Sequence, residues 1–139
     1  MRQVVTVMSG RISFTTLILR LVTALVLIDA GYLKIFKGDL ARGTMGKYGV
    51  PLPEIVGPFI SFLEFFGGIA LLVGFFTRYL GLIYTIEFIV AALLKMKLGI
   101  DWPNYSTMWI DLMLIGANLM LASAGAGMLS VDRGRRWDV

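Results

Sequence analysis

The sequence predicts an all-α integral membrane fold, a four-transmembrane-helix bundle with a surface loop between helices one and two. Three observations carry that expectation. Hydrophobic residues make up 58% of the 139-residue chain and charged residues only 16%, where an ordinary soluble domain is about a quarter charged; the mean hydropathy is +0.81. The apolar residues gather in four long runs, each near the roughly 20 residues that a helix needs to cross a bilayer. The runs are continuously apolar rather than alternating, which fits helices that satisfy their own backbone hydrogen bonds in lipid and does not fit the strands of a barrel. Four crossings leave room only for short connections, so residues 1–139 are expected to form a single membrane domain with no soluble part.

The first span falls at residues 14–33. Arg2 and Arg11 precede it without a small-residue cleavage site, and the apolar run is longer than the core of a signal peptide, so the segment is expected to be retained. The connection to the second span, residues 34–54, carries Gly38, Gly43, Gly46, Gly49, Pro51 and Pro53. It is expected to lie along the membrane surface without crossing. Lys34, Lys37, Arg42 and Lys47 suit headgroups, Ile35, Phe36, Leu40 and Met45 can dip inward, and the prolines stiffen the approach to the next helix.

The second span, residues 55–76, is joined to the third, residues 80–98, by little more than Thr77, Arg78 and Tyr79. So short a link predicts that the second and third helices are tight antiparallel neighbours, with Arg78 at their interface turn. The fourth span, residues 107–124, is flanked by Trp102, Tyr105 and Trp109 in the manner of an interfacial aromatic belt. Gly67, Gly68, Ala70 and Gly74 in the second span, and Gly116, Ala117, Ala122 and Gly125 around the fourth, are small residues of the kind that let membrane helices approach closely.

Composition narrows the chemistry. There is no histidine and no cysteine, so no imidazole or thiolate can hold haem, a metal or an iron–sulfur cluster, and no metal site is expected. The eight methionines read as packing between helices. No residue announces itself as catalytic. The net charge of +4 is spread over the span ends, where basic residues meet lipid headgroups and set topology, and no nucleic-acid partner is expected. Six basic residues fall on each face; the cluster of Arg133, Arg135 and Arg136 points the N- and C-termini toward the cytoplasm.

Function is to be sought at the polar residues inside the spans: Arg20, Asp29, Glu64, Glu87, Asp111 and Asn118. A charge at the bilayer centre costs about 2.5 to 3.5 kcal/mol, so these must pair or be solvated. At a 1.5 Å rise, Asp29 and Asp111 lie about 6 Å inside the face bearing the long loop and Glu64 about 13 Å inside it. Lys34 and Lys95 belong to the same half. Three acids and two lysines are thus expected to form a polar pocket beneath the loop. From the opposite face Arg20 and Glu87 each lie about 10 Å deep, and Arg20 is expected to be buried and bonded to Glu64, Glu87 or both, as a bidentate guanidinium can be. Such pairs serve equally well as helix fasteners. A short internal repeat accompanies them: Arg20 precedes Asp29 by nine residues as Arg78 precedes Glu87, with Ile28 and Ile86 before the acids. It suggests that spans one–two and three–four are parallel repeats.

Taken in order, Arg20, the run Asp29-Ala30-Gly31-Tyr32-Leu33-Lys34, Gly49-Val50-Pro51-Leu52-Pro53, Glu64-Phe65-Phe66-Gly67-Gly68, the turn Gly74-Phe75-Phe76-Thr77-Arg78, and Gly125-Ala126-Gly127-Met128-Leu129-Ser130-Val131-Asp132 resemble the DoxX family from end to end. The resemblance implies a small multi-pass protein of the prokaryotic plasma membrane. It also implies an association with quinone-linked oxidation, as in the DoxD-type subunit of thiosulfate:quinone oxidoreductase. On that footing the chain is expected to be a non-catalytic subunit of a membrane oxidoreductase complex. Lipid and other membrane subunits would be its partners, and the polar pocket would hold a quinone headgroup or relay its protons. The sequence departs from many members in having no histidine, and Glu87 stands in the polar third-span place that a histidine takes in them. Two other readings stay open: a small transporter or proton-conducting protein with a path along Asp29, Glu64 and Asp111, and a purely structural or assembly subunit.

Overall fold

The computed structural model describes residues 2–97 and 104–134. Helix α1 spans Arg2–Tyr32 and runs into a π-helical turn, Leu33–Lys37; α2 is Arg42–Lys47, α3 Pro53–Val73, α4 Thr77–Lys97, α5 Asn104–Ala124, and α6 Val131–Gly134. Among the described residues there is no strand. Four stretches, Ser13–Lys37, Pro53–Val73, Thr77–Lys97 and Ser106–Ala124, are long and apolar enough to cross a membrane. Their outward faces are apolar, with Val22, Leu25, Phe62, Phe66, Leu82 and Leu93 exposed, as lipid requires. Expectations resting on Leu98, Trp102, Arg135 and Arg136, and on the side chains of Arg2, Tyr105 and Arg133, lie outside what is described.

The helices pack as two hairpins, α1 with α3 and α4 with α5. Glycines make both crossings close. A Cβ on Gly31 would stand 2.5 Å from the Phe65 nitrogen, one on Gly68 3.0 Å from the Ile28 nitrogen, and one on Gly81 2.7 Å from the Asn118 carbonyl oxygen. Backbone therefore meets backbone, the arrangement by which membrane helices gain dispersion contact without a hydrophobic drive. Gly116, expected at such a crossing, faces open space. Ala24, Leu27, Leu71, Leu80, Tyr84, Phe88 and Leu121 fill the core.

The expected tight pairing of the second and third spans is not what forms. Helices α3 and α4 touch only slightly, chiefly where the Tyr84 hydroxyl donates to the Leu63 carbonyl at 2.7 Å. A short link fixes where two helices begin; the faces they bury decide how they continue. Here Gly68 of α3 is spent on α1 and Gly81 of α4 on α5, while Gly67 of α3 only makes room for the Tyr84 side chain, so the pair splays away from its turn.

Both ends of the bundle are closed by non-helical chain. On the loop side, Leu40 and Ala41 adopt left-handed backbone (φ +58° and +59°) and press on α3, where a Cβ on Gly57 would lie 2.6 Å from the Leu40 carbonyl oxygen. On the turn side, Gly125 and Gly127 (φ +82° and +72°) redirect the chain after α5 into a strap, residues 125–130. The strap ends on Asp132, whose two carboxylate oxygens accept from the Phe76 and Thr77 amides at 2.8 Å each, while its own amide donates to the Gly74 carbonyl at 3.0 Å. Asp132 thus caps α4 from elsewhere in the chain, supplying the acceptor and negative charge that a helix N-terminus favours.

Candidate functional site: a cavity between the hairpins

The splay of α3 from α4 leaves a cavity of about 440 Å³ beneath the loop. Its polar groups come from both hairpins. The π-helical turn carries Lys34, whose Nζ donates to Glu64 Oε2 on α3; the widened turn is a local device often found where a side chain must be re-aimed. In the other hairpin Lys95 Nζ donates to Asp111 Oδ2 at 2.5 Å, and both side chains are largely buried. Each hairpin therefore carries one lysine–carboxylate bond between its own two helices. Glu87 on α4 completes the group, lining the cavity beside Glu64. Two ammonium groups thus neutralise two of the three carboxyls, which is how buried ionisable groups are tolerated in a membrane.

Among the described residues, Glu87 Oε2 is buried with no hydrogen-bond partner. The roof is the loop, through Ala41, Thr44, Met45 and Tyr48. Tyr48 is raised above the ordinary tyrosine range by burial, then by the Asp111 charge, with Lys34 opposing, so it stands over the cavity as a neutral hydroxyl. The walls are apolar. Phe59, Ile83, Ile86 and Val90 line the cavity and are at the same time exposed on the outer surface, so the cavity opens sideways, through the α3–α4 seam, into the bilayer.

The other candidate residues are placed elsewhere. Arg20 is buried but bonds neither Glu64 nor Glu87. Its guanidinium donates to the carbonyls of Ala126 at 2.5 Å, Met128 at 3.2 Å and Leu129 at 2.8 Å. The strap is non-helical backbone at the bundle end, and its carbonyls need donors that lipid does not supply; they take the guanidinium in place of the acids. Asp29 is exposed on the outer face of α1 and is not part of the cavity. Asn118 is buried in the α4–α5 half, donating to the Leu114 carbonyl at 2.8 Å, away from the cavity lining. Arg78 is partly buried near the start of α4, also away from it. Tyr48 and Thr44 had no signal beyond their place in the loop, and Asp132 none beyond its position after the glycine-rich turn.

These features define a small integral membrane protein with four crossing helices and a laterally open cavity ending on paired charges. Its particular kind follows from comparison: the sequence pattern of the DoxX family matches residues 15–97, and the chain belongs to that family. It is 29% identical to the inner membrane protein YphA of Escherichia coli (strain K12), over 84% of this chain and 87% of the relative. The inner membrane protein YqjF of the same organism is 31% identical over 87% of this chain and 93% of the relative. A Bacillus subtilis (strain 168) protein named "Putative oxidoreductase CatD" is 28% identical over 84% of each. No solved structure gives a significant match.

Proposed function

We propose that this chain is a membrane subunit of an oxidoreductase complex, and that its cavity holds the headgroup of a lipid-soluble quinone. The observation that carries the reading is the cavity's sideways mouth. A molecule dissolved in the bilayer reaches Glu64 and Glu87 through apolar walls without passing through water, and the carboxyl pair offers it a site for proton exchange. The oxidoreductase name of the Bacillus relative agrees with this reading. The chain's lack of histidine and cysteine assigns electron supply to a partner subunit. Asp29 marks where a partner sits. An outward-facing carboxylate in a membrane helix costs about 2.5 to 3.5 kcal/mol at the bilayer centre, and less nearer a face, unless a donor or cation on another helix meets it. Its outward position also breaks the path along Asp29, Glu64 and Asp111 that a transporter reading needs.

The test is titration of a short-chain quinone analogue into the purified protein in lipid nanodiscs. Saturable binding is expected, and Ala91→Phe, which fills the cavity from α4, should abolish it while the protein still melts cooperatively. Absence of binding to the parent, or equal binding to the filled variant, overturns the reading.

A further inference from the structure

Resting on the reading of this chain as one subunit of a membrane complex, we infer that the outer face of α1 at Asp29 docks a transmembrane helix of another subunit, and that this helix carries a lysine or arginine level with Asp29. The crossing of α1 with α3 fixes that level. Ile28 packs on Gly68 and Gly31 on Phe65, so Asp29 stands beside Gly67, about 9 Å from Val73, where α3 ends. Along α1 it is about 12 Å from Lys37, the end of the first crossing stretch. It is therefore deeper than a count from the loop side gives, because the crossing continues through the π-helical turn. A carboxylate on a one-carbon stem cannot snorkel to water from there as a lysine or arginine does.

The chemistry of the docking helix follows from the rest of the chain. Glu64 and Asp111 are each met by a lysine from a neighbouring element, whereas Asp29 has no such partner among the described residues and is exposed among Val22, Leu25, Val26 and Leu33. A second copy is a poor match. Two-fold pairing of this face sets Asp29 against Asp29, and the described lysines inside the spans, Lys34 and Lys95, are already bonded. Beside Asp29 the surface is aromatic. Ring centroids lie 4.9 Å apart for Tyr32 and Phe36, 6.1 Å for Phe36 and Phe65, 5.2 Å for Phe65 and Phe66, and 6.0 Å for Phe66 and Phe62. This ridge runs from α1 across α3 to within a turn of Phe59 at the cavity mouth. Its rings are exposed at Tyr32, Phe36, Phe62 and Phe66. Rings that brace one another are ordered before a partner arrives, and their faces attract a cation. A helix laid on the ridge with its cation at Asp29 lies alongside the mouth, where a subunit that supplies electrons to the cavity has to be.

The probe is a leucine-based transmembrane peptide of about 20 residues with one lysine about a turn from its middle, set beside peptides with glutamate or leucine at that place. The protein has no cysteine, so Gly46→Cys, at an exposed loop position, takes a donor dye and each peptide an acceptor. Energy transfer is followed in lipid vesicles as the peptide-to-lipid ratio rises. The lysine peptide should give saturable transfer, and the leucine and glutamate peptides only the non-saturable transfer of random neighbours. Asp29→Leu should weaken the lysine peptide about tenfold, the factor that one interhelical polar bond supplies. It should still bind the short-chain quinone analogue as the parent does, so the cavity reading and this inference fail separately. Equal transfer from the three peptides, or transfer unchanged in Asp29→Leu, overturns the inference. Saturable transfer between two copies of the parent, lost in Asp29→Leu, assigns the face to a second copy and overturns it as well.

Discussion

Replacing Arg20 by alanine should detach the strap from the bundle. The guanidinium makes two good charge-assisted bonds, to the Ala126 and Leu129 carbonyls, and a longer one to Met128. At about 1.5 to 3 kcal/mol for each good bond, the loss comes to about 3 to 6 kcal/mol. Removing a buried cation and its unpartnered Nε relieves part of this, because the charge's own desolvation cost disappears with it. A net destabilisation of about 3 kcal/mol is expected. The chain has no cysteine, so a single Ala126→Cys, at a fully buried position, reports the strap directly by maleimide labelling. Labelling should be slow in that background and at least about a hundredfold faster when Arg20→Ala is added, the ratio that about 3 kcal/mol of opening free energy gives. Since Arg20 and Glu64 do not bond, Arg20→Ala and Glu64→Gln should add in thermal unfolding. Unchanged labelling with an unchanged melting temperature, or rescue of Arg20→Ala by Glu64→Gln, would refute the reasoning.

Asp132→Ala should cost about 1 to 2 kcal/mol through loss of the α4 cap, and Asp132→Asn less, since an amide oxygen still accepts; melting temperatures in one detergent decide it. Gly31→Ala should destabilise by about 1 to 3 kcal/mol, because the new Cβ meets backbone at 2.5 Å and the helices must part. Gly116→Ala, which meets nothing, should be neutral or stabilise by up to about 1 kcal/mol. Equal effects at the two glycines would discredit the assignment of helix faces.

The four spans were legible because length and hydropathy decide them, and the lysine–acid half of the cavity because depth along a helix follows from counting residues. Depth says nothing of azimuth, and Asp29 shows the difference. Buried Arg20, Ala24, Leu27 and Gly31 follow the three- and four-residue steps of one helix face, and Asp29 lies two residues from Gly31, on the far side. A helical wheel drawn around the small residues would have placed it outside. The partners of Arg20 were harder to read, since they are backbone carbonyls, which every residue owns and no letter marks; the Gly125 and Gly127 turn was the available hint. The parting of α3 and α4 was hidden for a related reason. Sequence separation bounds the gap at the turn alone, and it was Gly31 and Gly81, not Gly116, that claimed the two inner faces.

The strap also sets an order of events during synthesis. The carbonyls that receive Arg20 lie 106, 108 and 109 residues after it, and at about 5 to 20 residues per second the ribosome needs about 5 to 20 s to reach them. For that interval the first hairpin holds a guanidinium whose eventual acceptors have not been translated. The insertion machinery, water or headgroups must shelter it until the chain downstream of α5 folds back. Completion of this small bundle is therefore signalled from its far end, and a nascent chain halted after the fourth crossing keeps an unmatched arginine in its first helix.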